Sequence, residues 1–192
     1  MFDISEYYTK ELAEKEEKAW LECELYKRNA KQVNDYIIKY DLSTVLEVGC
    51  GSGLIPTLIP NKIYYSGIDN NSYFLEMARK NNKSRIFVKA DIRSYHIIFR
   101  YDLVISFAFL KHFAISEWVD IASKVLQLGR FGIIEVQIAE KAFDNGIDFH
   151  HTFVTEKMLS EALETAGRKE ESRISTFKDK QFEVFSVMTC LE

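Results

Sequence analysis

The stretch Val45-Leu46-Glu47-Val48-Gly49-Cys50-Gly51-Ser52-Gly53 constrains the fold more than any other part of the chain, because an apolar, β-branched run gives way to glycines at alternate positions. It reads as a strand breaking into a ligand-binding turn. Glycine takes up positive φ and lets a ligand approach where a Cβ would intrude, and the backbone that follows offers N–H groups to an anion or nucleoside. The turn is therefore expected to hold a nucleotide-like ligand. A dinucleotide site wants G-x-G-x-x-G or G-x-G-x-x-A, yet the glycines here run G-x-G-x-G and the last small position is Leu54. Pyrophosphate binding is disfavoured. Glu47, two places before Gly49 at the strand's carboxyl end, repels phosphate and suits a cationic amino acid or a sulfonium.

The rest of the chain continues in βα units. Pro56 is tolerated only in a first helical turn and Pro60 forbids continuation, so the first crossover helix must be short. Lys62–Asp69 reads as a second strand ending in an acid about 20 positions beyond Gly49, the offset of a ribose-binding carboxylate. An Asx turn with Asn70 and Asn71 is the purely structural alternative for Asp69. A helix over Phe74–Lys80 leads to a third strand, Arg85–Ala90, closed by Asp91 and Ile92. Tyr101–Phe107 is a fourth strand, running into Ala108–Phe113. Helical period from Ser116, a plausible cap, stops at Gly129, and Phe131–Ile138 is an apolar fifth strand of the kind buried on both faces. Ala142–His151 lacks any period and reads as a long loop at the sheet's carboxyl end, where substrate contacts concentrate. Thr155 caps a helix running to Gly167, and two strands near Glu171–Thr176 and Phe182–Cys190 close the chain around Lys178-Asp179-Lys180. Ahead of all this, Ser5–Tyr40 is dense in helix formers, with Leu12, Ala19, Cys23, Tyr26, Ala30, Val33 and Ile37 spaced along one face of one long or two shorter helices.

With VLEVGCGSG followed by strand-terminal Asp69, Asp91 and the Asp102-initiated fourth strand, the chain resembles the class I S-adenosylmethionine-dependent methyltransferases over residues 45–190. The resemblance implies an α/β fold: a three-layer α/β/α sandwich with a seven-stranded, mostly parallel sheet, a C-terminal antiparallel hairpin and a helical N-terminal extension. It implies one domain over 1–192, with residues 1–41 a helical cap and 42–192 the Rossmann-like core. It carries adenine recognition to Asp91, through the amino group, and to Ile92, against the ring; an ordinary helix N-cap is the alternative for Asp91. Glu47, Gly49, Cys50, Gly51, Gly53, Asp69, Asn70, Asp91, Ile92, Ser106 and Phe107 all fall on the carboxyl edge of the strands and form the candidate cofactor set, with S-adenosylmethionine as the cofactor. The loop after the fourth strand ends in a histidine, as in the family, where Glu often precedes it; here Lys111 does. His112 is the candidate general base, with a packing role as its alternative, and His150 and His151 are weaker candidates for touching the acceptor. Because N-terminal helices often lie over the cofactor cleft in this family, Tyr7, Tyr8 and Trp20 are read as either lid or packing.

Composition narrows the partners. A net charge of −4 gives no overall attraction to phosphate backbones, so a small-molecule acceptor is favoured, a protein side chain second, and nucleic acid disfavoured. No apolar run approaches the ~20 residues that span a bilayer and the N-terminus has no signal-peptide order, so no membrane partner and a cytoplasmic location are expected. The three cysteines form no C-x-x-C pair. His112, Asp148, His150 and His151 lack metal-ligand spacing, so no metal is expected, and Gly-Cys-Gly-Ser-Gly is not the G-x-S-x-G of a hydrolase. Phe107, Phe109, Phe113, Phe143, Phe149 and Phe153 either stack a planar substrate or pack among themselves. A methyltransferase leads; a non-catalytic nucleoside-binding regulator is the alternative.

Overall fold

A computed structural model of the chain describes residues 8–23, 25–144 and 151–191. Two compact units, Met1–Tyr95 and His96–Glu192, make up the chain.

The first unit opens with α1 (Lys10–Cys23) and α2 (Leu25–Tyr40). In α2 the expected face is the buried one, through Ala30, Val33 and Ile37; in α1, Ala13 is fully buried and Ala19 is exposed, so the inward face there is rotated from the expected one. β1 (Thr44–Val48), β2 (Tyr64–Asp69) and β3 (Ile86–Lys89) then pair in parallel, with Glu47 opposite Gly67 and Ile68 opposite Val88. Val45, Leu46 and Val48 are fully buried, as an apolar strand covered on both faces requires. The two prolines reduce the first crossover to a single 3-10 turn, Ile55–Leu58. β2 leads into α3 (Ser72–Asn81), whose N-cap is Asn71: its Oδ1 accepts from the N–H of Tyr73 at 2.9 Å and of Phe74 at 3.1 Å. No helix starts at Asp91; residues 92–94 form a turn.

The second unit contains β4 (Tyr101–Ser106), a 3-10 turn at Leu110–His112, α4 (Ile115–Gln127) and β5 (Gly129–Ala139). α4 begins one residue before Ser116. Its N-cap is Ala114, whose N–H donates to Glu117 Oε1 at 3.3 Å, so a side chain within the first turn satisfies the orphan donor in place of the serine. Gly129 is needed for close approach: a Cβ there would lie 2.7 Å from the Val104 nitrogen of the adjacent strand. The expected long loop after β5 is bracketed by a two-residue ladder, β6 (Phe143–Asp144) with β7 (Thr152–Phe153). α5 (Glu156–Thr165) is capped as expected, Thr155 Oγ1 accepting from the Met158 N–H at 3.3 Å. β8 (Arg168–Lys178) and β9 (Phe182–Leu191) make the closing antiparallel hairpin, and β9 pairs with β5 from Phe131↔Cys190 to Ala139↔Phe182. Together the strands form a seven-stranded, mostly parallel sheet in the order β3-β2-β1-β4-β5-β9-β8.

Arg168 is an unanticipated part of this core. It is 2% exposed, and its guanidinium donates to the carbonyls of Gly129 and Arg130 and, at 2.6 Å, to that of Leu126. One side chain thus ties the last turn of α4 to the start of β5.

Candidate active site

In the first unit the glycine turn leaves β1 with Gly49, Gly51 and Gly53 at φ of 74°, 51° and 71°, the left-handed region that favours glycine. Their roles differ. A Cβ on Gly53 would lie 3.0 Å from both Ala78 Cβ and Asn82 Nδ2, so the third glycine lets the turn sit against α3. A Cβ on Gly51 would meet nothing within 4 Å, leaving the middle of the turn open for a ligand. The turn is pinned from beneath: Asn82 Nδ2 donates to the Gly53 carbonyl at 2.8 Å, and Asn81 Nδ2 donates to that of Ser52 at 3.4 Å.

Asp69 lies beside it. Its Oδ2 accepts from the Gly51 N–H at 3.0 Å and its Oδ1 from the Asn71 N–H at 2.9 Å, so the carboxylate clamps the turn and also makes the Asx turn read as its alternative role. A carboxylate has about four acceptor positions, which leaves capacity for ribose hydroxyls. Burial raises its pKa, while the N–H groups of Asn71, Gly51 and Asn70 hold it down. Glu47 is deeper, 4% exposed, and accepts a hydrogen bond from the Tyr65 hydroxyl on the neighbouring strand. Loss of water pushes its carboxyl up to about 8, against the opposing effect of the Tyr65 bond. Cys50, 6% exposed, packs over Gly67, where a Cβ would come within 2.8 Å of the cysteine sulfur; burial lifts its thiol well above the usual range. Asp91 Oδ1 accepts from the Arg93 N–H at 2.8 Å, and Ile92 beside it is 2% exposed. The N-terminal segment reaches this site too. The Tyr8 carbonyl accepts from Asn71 Nδ2 at 3.0 Å, the Tyr8 ring packs 5.0 Å from Phe74, and Glu17 accepts from Asn81 Nδ2 at 2.9 Å. Tyr7 lies outside the described residues.

The carboxyl ends of β4 and β5 lie in the second unit. Ser106 and Phe107 are buried, at 0% and 6% exposure. Ala108 has φ 52°, rare for a residue with a Cβ, and its N–H donates to Glu135 Oε1 at 3.2 Å. His112 closes the 3-10 turn with its N–H on the Phe109 carbonyl at 3.1 Å, and its ring lies 5.9 Å from that of His151. The buried Thr152 Oγ1 donates to the Phe113 carbonyl at 2.6 Å, which fixes the two histidine segments side by side. Burial and the Lys111 ammonium depress His151 to about 4, with Asp144 opposing. The aromatic residues are largely spent on one another: Phe143 stacks on Phe153 at 4.4 Å, Phe153 meets Phe182 edge-on at 4.5 Å, and Phe109 meets Phe113 at 4.9 Å. Asp148, Phe149 and His150 lie outside the described residues.

Tyr65, Gly67, Asn81, Asn82 and Glu135 escaped the sequence reading. Glu135, an acid in the middle of an otherwise apolar strand, was the one legible signal; the others become meaningful only once strand register and the α3 packing are known.

Strand order and glycine turn place the chain among the Rossmann-like α/β proteins. Residues 45–132 match the family model described as a methyltransferase domain. Among solved structures, a Clostridium acetobutylicum S-adenosylmethionine-dependent methyltransferase superposes with a TM-score of 0.73 at 12% identity, covering 92% of this chain and 98% of that one. A Burkholderia thailandensis 1,6-didemethyltoxoflavin-N1-methyltransferase gives 0.69 at 15% identity, over 93% and 84%. Magnesium protoporphyrin IX methyltransferase from Synechocystis gives 0.66 at 17%, over 85% and 78%. No curated protein matches the sequence. Residues 45–132 thus carry the methyltransferase-domain match, and the chain shares the fold of these S-adenosylmethionine-dependent methyltransferases.

Proposed function

We propose that the chain, working as one catalytic domain in the cytoplasm, binds S-adenosylmethionine at the Gly49–Gly53 turn and methylates a small molecule. The observation that carries this reading is the open position at Gly51, whose N–H is held by the same Asp69 carboxylate that is suited to the ribose. In the first unit Glu47, Cys50 and Asn70 flank the turn, and Asp91 and Ile92 take the adenine; in the second, Ser106 ends β4 and Phe107 follows it on the carboxyl edge. When bound, the cofactor supplies a methyl group on a positively charged sulfur, whose carbon–sulfur bond breaks with its electron pair going to sulfur as an acceptor lone pair takes the methyl. The chain has then only to orient the acceptor, exclude water and, where the acceptor must lose a proton, hold that proton on His112. The solved relatives named for small-molecule substrates and the net charge of −4 favour a small acceptor over nucleic acid, with a protein side chain second.

Asp69→Ala is expected to weaken S-adenosylmethionine binding by about 1–3 kcal/mol, roughly 5- to 150-fold, through lost ribose hydrogen bonds and a loosened turn. Titration calorimetry checks this, with Asp69→Asn recovering part of the loss. An unchanged affinity in Asp69→Ala removes Asp69 from the site.

A further inference from the structure

We propose that the outer edge of β3 is a docking site for an acidic, extended segment of a partner protein, which adds to the sheet as a further strand. This goes beyond methyl transfer and rests on the first unit alone. β3 ends the sheet, and among the described residues no strand pairs with its outer side. The Ala90 N–H bonds inward to the Asp69 carbonyl at 2.9 Å, so by the alternation of a strand the N–H and C=O groups of Phe87 and Lys89 point outward. Arg79 Nη2 donates to the Phe87 carbonyl at 2.9 Å, in keeping with that direction, and leaves the oxygen a second lone pair. Ile86 and Val88 share a face with Ser66 and Ile68 across the parallel register. The inner pair is 4% and 1% exposed, the outer pair 45% and 42%. Two β-branched apolar side chains thus stand in water beside an open backbone edge.

The charge around them is opposite in sign to that of the chain. Arg79, Lys80, Lys83, Arg85, Lys89 and Arg93 are six of the 25 Lys and Arg residues, and the one acid among them is Asp91, in a chain of net charge −4. Asp91 ion-pairs with Arg93 at 3.4 Å. Lys89 donates to Ser72 Oγ at 2.8 Å and Arg85 to the Ile59 carbonyl at 2.7 Å, neutral oxygens that hold these cations without cancelling their charge. Lys83 is exposed in the turn that leads into β3 and Lys89 is exposed at its end, so positive charge brackets Ile86 and Val88. A segment that uses all of these features offers backbone to two outward peptide groups, apolar residues at alternate positions and acids at either end. Nucleic acid or an anionic bilayer meets the charge but leaves the backbone edge unused. Lysines also guard open edges against pairing, yet guarding calls for polar side chains at positions 86 and 88.

The test titrates the full, isotope-labelled chain with a blocked peptide, Asp-Glu-Val-Ser-Ile-Ser-Val-Glu-Asp, followed by calorimetry and by amide hydrogen exchange. The peptide should bind saturably and slow exchange at the Phe87 and Lys89 amides, as strand addition requires. Lys83→Glu should weaken binding about tenfold and Ile86→Thr, which keeps the β-branch, about threefold, both with unchanged melting temperature. The same peptide with lysines in place of its acids, or with proline at its central isoleucine, should not bind. The proposal is overturned if the acidic peptide fails to bind, in which case the lysines only keep the edge unpaired, or if it binds without protecting those two amides. It is equally overturned if the lysine peptide binds as tightly, if both variants bind as the wild type does, or if oligouridylate or phosphatidylserine vesicles bind more tightly than the peptide and displace it.

Discussion

Arg168→Met should destabilise the fold by about 3–5 kcal/mol, the largest single-residue loss expected outside the hydrophobic core. The three carbonyls that share the guanidinium, those of Leu126, Gly129 and Arg130, lie where α4 hands over to β5, and methionine leaves them without that donor in a site closed to water. Each buried acceptor left unsatisfied costs about 1–3 kcal/mol. For a chain of this size the melting temperature should fall by roughly 6–20 °C. Arg168→Lys should recover only part, since one ammonium does not reproduce the planar fork. Denaturant titration measures the difference directly; a loss below about 1 kcal/mol would show that relaxation or water re-satisfies the carbonyls.

Glu47→Gln is expected to act through pH. The carboxyl titrates near 8 when folded, against an ordinary value of 4.5. The folded state therefore binds the extra proton between these values, so the wild-type advantage is complete below about 4.5 and drains away as the pH climbs to 8. At about 1.4 kcal/mol per unit of displacement the loss amounts to several kcal/mol. His151 runs in the opposite direction: held to about 4 from 6.5, it adds stability as the pH rises through that interval, so the two slopes partly cancel in acid. Comparing wild type with Glu47→Gln removes the His151 contribution. The amide can still accept from the Tyr65 hydroxyl, and the variant should be flatter in pH and more stable than wild type above pH 8. Parallel stability curves for the two proteins would show that the Glu47 carboxyl has the same pKa folded as unfolded.

Much of this molecule was readable without coordinates because its signals are local. The alternation of Gly49, Gly51 and Gly53 after an apolar run marks a strand-to-turn break wherever it occurs, and Asp69 and Asp91 each end a β-rich segment. What escaped depends on partners distant in the chain. Gly67 looks like a weak point in a strand until the parallel register sets it beneath Cys50. Arg168 reads as one more exposed cation after a helix, because nothing in its neighbours foretells three carbonyls from residues 126–130. Ser116 has the chemistry of a cap, but it falls inside the first turn of α4, whose N-cap is Ala114, and Glu117 accepts from the Ala114 N–H instead. The closeness of His112 and His151 was not legible for the same reason: position 112 follows β4, position 151 precedes β7, and the Thr152–Phe113 bond helps to bring their segments together.

The long ladder between β5 and β9 also has a consequence for how the chain reaches its native state. β5 carries the nearly contiguous run Ile133, Ile134, Val136 and Ile138, each 8% exposed or less once folded, and one of its edges is satisfied only by the last strand of the described residues. With α5 and β8 intervening, that pairing must await a large chain closure, so β5 spends an interval as an open, β-branched edge. During synthesis this is the segment most exposed to intermolecular pairing. Slower or cooler expression should accordingly raise soluble yield while leaving the melting temperature of the finished protein unchanged.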